Sequence, residues 1–310
     1  MFSNRVNFDF TYYHKKTKDA LINVPIAPSS AASTLTRLQN IGSVLNHGVE
    51  AQINAQLIDR RALSWSVTLS GSHNSNKVLD LGIDPVTGND RFIGTGTTRQ
   101  RVGYPLNGQW YRPYTYADDN GDGVIQVSEV HVSPDTGFVF QGYSFPRDLV
   151  SVQSTFGFFN GKLRINSLLD YKGGYFLADN TNGFICNQQP QACRENQDPS
   201  APLWQQARNV AQNNGTTVNG TNFKSAMGYS MPGRFWKFRE LSAIVTMPNS
   251  LASKIRARDA SLQFGARNLG WWGPYTGVDP ESNQTTGDVQ FDFIQASPPT
   301  YFTLRLNLHY

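Results

Sequence analysis

Val49-Glu50-Ala51-Gln52-Ile53-Asn54-Ala55-Gln56-Leu57 decides the fold. Its odd positions are apolar and its even positions polar, and a period of two puts the two sets on opposite faces of an extended strand. One greasy face and one polar face over about ten residues is what a transmembrane barrel strand needs, with lipid on one side and an aqueous lumen on the other. The pattern returns in Leu63, Trp65, Val67 and Leu69, set against Ser64, Ser66, Thr68, Ser70 and Ser72. It returns again at the end, where Phe302, Leu304, Leu306, Leu308 and Tyr310 alternate with Tyr301, Thr303, Arg305, Asn307 and His309. Further candidate strands are Val6 to Tyr12, Val150 to Phe158, Leu163 to Tyr171, Phe235 to Met247 and Ala260 to Asn268; Phe235 to Met247 alternates least cleanly.

The links between these runs alternate in length. Short ones fall near Asp59 to Ala62, at Asn160-Gly161 and around Asn249 to Arg258; long ones cover Lys16 to Ser43, Asn76 to Asp148, Gly174 to Arg234 and Leu269 to Pro298. Asn-Gly between alternating runs is a strong hairpin signal. Transmembrane barrels use short periplasmic turns and long external loops, so the spacing predicts an all-β, antiparallel transmembrane barrel whose last strand ends at Tyr310 on the short-turn side. A soluble β-sandwich also alternates, but connections beyond about 15 residues are uncommon in compact soluble domains.

Composition agrees. The 310 residues are 39% hydrophobic, 12% aromatic and only 16% charged, against roughly a quarter charged in ordinary globular domains. No apolar run of about 18 residues exists, which excludes spanning helices but not spanning strands. The net charge of +4 comes from dispersed Lys and Arg, without the basic clusters of a nucleic-acid footprint, so no nucleic-acid partner is expected. The opening residues lack a secretory signal and already read as strand, so the expectation is a fragment of a longer protein.

Asp118 to Glu129 fits a twelve-residue calcium loop. Side-chain oxygens would come from Asp118, Asn120, Asp122 and Glu129, one carbonyl from Val124 and a water near Gln126, with Gly123 making the sharp turn. The flanks read as extended rather than helical, so Ca2+ would staple a long loop. Cys186 and Cys193 suit a loop disulfide better than a metal cage. His14, His47, His73, His131 and His309 form no catalytic motif, and no enzymatic activity is expected. Trp271, Trp272 and Tyr275 in the last long loop are candidates for ligand contact, the alternative being loop packing or an aromatic girdle.

Arg267-Asn268-Leu269, Trp272, Tyr275-Thr276-Gly277, Asp279-Pro280-Glu281 and the Pro298-Pro299 approach to the final strand together resemble the SusC/RagA-like TonB-linked outer-membrane receptors. Asn46 to Glu50, Gly103-Tyr104-Pro105 with Trp110-Tyr111, the Asp118 to Glu129 loop, and Phe238-Arg239-Glu240-Leu241 running into Met247-Pro248 are similar to the same family. The resemblance covers nearly the whole chain. It implies that residues 1–310 are the C-terminal part of a barrel of about 22 strands, with the plug domain and signal peptide outside this chain. It also implies a SusD-like surface lipoprotein as lid, energy from TonB-ExbB-ExbD through the N-terminal part, and import of an oligosaccharide or peptide. Leu306, Leu308 and Tyr310 would form the C-terminal signal read by the barrel assembly machinery, and outer-membrane lipid would meet the apolar faces. Two other readings are open: a passive eight-stranded barrel or adhesin, and a soluble calcium-dependent carbohydrate-binding β protein.

Overall fold

The computed structural model describes residues 5–25, 36–84, 88–94, 97–134, 137–286 and 289–310. Eight long strands form one sheet: β1 (Val6–Pro25), β2 (Thr36–Asp59), β3 (Leu63–Asp80), β4 (Asp148–Phe158), β5 (Leu163–Gly173), β6 (Phe235–Thr246), β7 (Asp259–Trp272) and β8 (Tyr301–His309). Each pairs antiparallel with its neighbour in the chain, an up-and-down meander. Among the described residues β1 and β8 do not pair with each other, so the sheet is open at both edges.

Register turns the period of two into two continuous surfaces. One cross-strand row reads Val6, Ala55, Val67, Ser154, Ser167, Leu241, Ala266, Phe302, and a neighbouring one Phe8, Ile53, Leu69, Val152, Leu169, Phe238. The opposite face carries Gln56, Ser66, Thr155, Asn166, Ser242, Gly265, Thr303. Cross-strand hydrogen bonds stitch the polar face: Thr68 Oγ1 donates to Asn54 Oδ1 at 2.8 Å and Thr155 Oγ1 to Asn166 Oδ1 at 2.9 Å. The apolar face is bare: Phe8 is 62% and Leu304 72% exposed. A water-soluble sandwich would bury such a face against a second sheet, and among the described residues no second sheet covers it. Tyr171 and Trp272, each opposite Trp236 in the pairing, form with it an aromatic row near the long-loop end of the apolar face.

The short links are as expected. Phe159, Asn160 and Gly161 all take positive φ, at 55°, 60° and 77°, and a helical turn over Asn249–Ala252 joins β6 to β7. The long links differ from expectation in being structured. Lys16 to Ser43, expected as loop, is largely strand, because β1 and β2 continue as a hairpin up to Pro25 and Thr36. Gly174 to Arg234 holds α1 (Asn180–Gln188) and α2 (Leu203–Asn213). In the link between β3 and β4, Gly108–Tyr111 pairs with Val139–Gly142, and Tyr114–Tyr116 with Val130–Val132.

These three long links, 81–147, 174–234 and 273–300, pack into one cap. Ile125, Val130 and Val132 of the first form a core with Ala207, Val210 and Ala211 of α2. Tyr175, Leu177 and Met231 of the second form another with Tyr275 of the third. The segments Phe176–Asp179 and Val289–Asp292 pair in parallel, tying the second link to the third.

Candidate functional site

The polar face of the sheet and the underside of the cap make the candidate site. The alternation that turns Leu69 and Val152 outward turns Asp9, Glu50, Gln52, Ser70, Ser151 and Asp170 inward, where they line a groove of about 560 Å³ with Lys172 at its edge. The polar part of the lining is mainly acidic and hydroxylic, suited to hydrogen-bonding a hydrated solute or a polar protein surface, and Ala51, Leu149, Val150 and Tyr171 also line it.

Above the groove an ion-pair network fastens the last link to the wall. Asp170 and Lys237 are register partners on β5 and β6. Arg239 sits at a bulge between Phe238 and Glu240: those two residues pair with the consecutive Leu169 and Leu168 of β5, which leaves Arg239 without a register partner there. The bulge is why this strand alternates poorly in sequence, and it aims the guanidinium at Asp170 and, bidentately, at Glu281 at 2.9 and 2.6 Å. Lys237 Nζ meets Asp279 at 2.9 Å and Glu281 at 3.1 Å, and Lys172 meets Glu281 at 2.7 Å. Lys237 and Asp279 are 3% and 1% exposed, and the opposite charge beside each offsets the cost of burying it. Burial alone would raise the Glu281 carboxyl, but hydrogen bonds from Arg239 and Lys172 and the charge of Lys172 hold it well below the usual carboxylate range.

A second buried cluster lies inside the cap. Parallel pairing sets Asp179 opposite Asp292, and both are buried. Asp179 accepts from Asn182 N at 3.1 Å and from Thr276 Oγ1 at 2.9 Å, while Asp292 accepts from Thr181 N at 3.0 Å and from the Tyr275 hydroxyl. Burial pushes both the Asp292 carboxyl and the Tyr275 phenol up. Beside them Arg208 of α2, 1% exposed, pairs with Glu195, which also accepts from Tyr229 Oη at 2.8 Å. Cys186 and Cys193 are joined by a disulfide with Cα atoms 4.7 Å apart, closing the segment between α1 and Glu195.

The residues singled out in the sequence are dispersed over this architecture. The Asp118 to Glu129 segment is a closed loop on the cap, flanked by the paired strands Tyr114–Tyr116 and Val130–Val132, extended as expected. Asp118 accepts from Gly121 N and Gly123 N at 2.8 and 3.0 Å, Asn120 from Asp122 N at 2.9 Å, and Asp122 from Val124 N at 2.8 Å. Glu129, buried, accepts from Asp119 N at 3.0 Å and Gln126 N at 2.7 Å. Trp271 packs beside the second cap core, and Trp272 belongs to the aromatic row on the apolar face. Tyr275 is 4% exposed and bonded to Asp292, in keeping with the loop-packing alternative of the two readings. Leu306 and Leu308 continue the apolar face opposite Leu262 and Ala260. Asp170, Lys172 and Lys237 were not anticipated, although charges inside strands of so charge-poor a chain were the available signal.

A family model described as TonB dependent receptor-like, beta-barrel, matches residues 1–269. The chain belongs to that family. Receptors of this kind are outer-membrane proteins. The TonB-dependent receptor P26 of Formosa agariphila is 26% identical over 345 aligned residues, covering 100% of this chain and 33% of that protein. The TonB-dependent receptor SusC of Bacteroides thetaiotaomicron is 30% identical over 149 residues, covering 42% of this chain and 15% of that protein. Among solved structures, a chain of the RagAB peptide transporter superposes with a TM-score of 0.72 at 18% identity, over 98% of this receptor chain and 33% of that one. The chain thus spans about a third of the length of the curated relatives matched over its whole extent, and the barrel fold is shared with RagAB.

Proposed function

We propose that this chain forms the C-terminal portion of the wall of a larger outer-membrane barrel that imports a polymeric nutrient, an oligosaccharide or a peptide, with energy supplied by TonB-ExbB-ExbD. One observation carries the reading: a bare apolar face backs a polar wall, and long links fold over only one end of it. The short turns then face the periplasm and the cap faces outward, where it would meet substrate and a SusD-like surface lipoprotein. The lumen groove would contact the plug domain. RagAB is described as a peptide transporter, and SusC is named as a relative; the wall's carboxylates and hydroxyls accommodate either solute class. The test is uptake by cells carrying the full-length receptor, supplied in turn with labelled oligosaccharide and peptide mixtures. Import that is lost both on deletion of the receptor and on uncoupling of the inner membrane supports the reading; uptake indifferent to both overturns it.

We further propose that the Asp118 to Glu129 loop takes one Ca2+. The donor set fits a hard cation: each of Asp118, Asn120 and Asp122 is already curled inward by a backbone N–H of the same loop, and the buried Glu129 carboxylate closes the far side. Bound there, Ca2+ would fix the loop that delivers Ile125 to α2, where Ile125 N donates to Gln206 Oε1 at 2.8 Å. Calorimetry on the full-length receptor should show one calcium site that Asp122→Ala abolishes, with faster proteolysis of the loop. Unchanged heat and unchanged cleavage in the variant would overturn it.

A further inference from the structure

Basic residues dispersed in the sequence are gathered by the meander at one end of the sheet. The three short turns carry Arg60 and Arg61, then Lys162, then Lys254, Arg256 and Arg258, against Asp59 and Asp259 at their flanks. All of these basic residues are exposed, and among the described residues none is in an ion pair.

The same turns, with the end of β2 that enters the first, leave large apolar side chains uncovered. Leu57 is 48%, Phe159 70%, Leu251 50% and Ile255 46% exposed. Phe159 lies beside Phe158, ring centroids 6.4 Å apart, and Phe158 belongs to the row Phe158, Leu163, Val245, Leu262, Leu306 of the apolar face. The mixed band is therefore the edge of the lipid-facing surface. Between β6 and β7 the turn is held by its small residues: Ala252 and Ala257 are buried, and Ala257 N donates to Ala252 O at 3.0 Å, while Leu251, Lys254, Ile255 and Arg256 stay outside.

A turn meant only for water has no use for four uncovered apolar side chains, and one meant for acyl chains does not carry free cations. Their combination suits the membrane interface, where rings and aliphatic stems rest at the acyl boundary and charged heads reach the phosphates. An uncompensated positive band selects anionic headgroups over zwitterionic ones.

We propose that this rim binds the phosphate headgroups of anionic phospholipid. The proposal rests on reading the short turns as the periplasmic end, which makes the lipid that of the inner leaflet. The competing occupant is a free anion in the neighbouring groove of about 590 Å³, which Arg60, Arg61 and Arg164 line on the polar side.

The test uses full-length receptor in neutral detergent and native mass spectrometry with phosphatidylglycerol or phosphatidylcholine. Phosphatidylglycerol should be retained in preference. The triple variant Lys162→Glu, Lys254→Glu, Arg256→Glu should weaken its binding about tenfold or more, from the attraction lost per basic group. Lys15→Glu with Lys16→Glu, toward the other end of β1, should leave it unchanged, and millimolar inorganic phosphate should not displace the lipid. Heat-modifiable gel migration checks the fold, and the corresponding glutamine triple variant should lose part of the preference. Full preference in the glutamate triple variant, or displacement by phosphate, overturns the proposal. Normal import without lipid preference would sink the rim alone, whereas bound lipid together with cleavage of the short turns by protease added outside intact cells would sink the orientation.

Discussion

Arg239 sits in a strand bulge with its guanidinium shared between Asp170 on the neighbouring strand and Glu281 on the last link, and Lys172 and Lys237 converge on the same Glu281. Removing one member of a buried charge network costs more than the pair contributes, because the partners stay buried and uncompensated. Glu281→Ala should therefore cost about 3 kcal/mol and release residues 273–300 to protease, while the sheet keeps its heat-modifiable migration. The double variant with Arg239→Ala should recover part of the loss in the thermal midpoint. The pH sign follows from the depressed carboxyl: its contribution is complete above the ordinary value of 4.5 and fades as pH falls through the lower value of the folded state. The anchored link should thus be insensitive to mild acid and loosen only in strong acid. At this scale the sequence was partly legible. Arg239, Asp279 and Glu281 stand in motifs that carry the family resemblance, but nothing in a linear reading says that residues so far apart share one carboxylate.

Parallel pairing of Phe176–Asp179 with Val289–Asp292 brings Asp179 and Asp292 together; Tyr275, Thr276, Thr181 and Asn182 hydrogen-bond to them, and the charge of Arg208 acts on Asp179 from beside. Here the sign is reversed. Burial raises the Asp292 carboxyl, so the contact is strongest when that group is protonated and weakens as pH rises through the raised value. Asp292→Asn should reduce the loss of hydrogen-exchange protection in both segments that accompanies rising pH, once the intrinsic base catalysis of exchange is divided out; an unchanged loss in the variant would refute the account. The elements of the cap were the least legible part. Strands β1 and β2 run on past the apolar band, where water wets both faces, so the ladder continues while the period of two disappears. Helix α2 did leave a signal, Leu203, Ala207, Val210 and Ala211 at helical spacing, hidden inside a stretch that otherwise reads as polar loop. The eight spanning strands were legible because lipid on one side and water on the other imposes the alternation directly.

Across the molecule the two faces of the sheet should respond oppositely to the same change. Leu241→Arg, in the middle of an apolar row, should destabilise the folded receptor by about 2–4 kcal/mol in urea titrations from lipid vesicles, whereas Gln153→Arg on the polar face should cost little. A similar penalty for both would mean that the outward face is not in contact with acyl chains. The basic rim shows what a sequence conceals at this scale: its charges look randomly strewn until the meander stacks every second connection at one end. The opposite end is bound by cross-links of another kind. Gln206 of α2 donates to Gly123 O at 3.2 Å, Ile125 donates back to Gln206, and Asp179 holds Thr276. Three strings knotted at such points cannot be plucked one at a time. A force applied to any one of them is therefore shared with the others through these bonds.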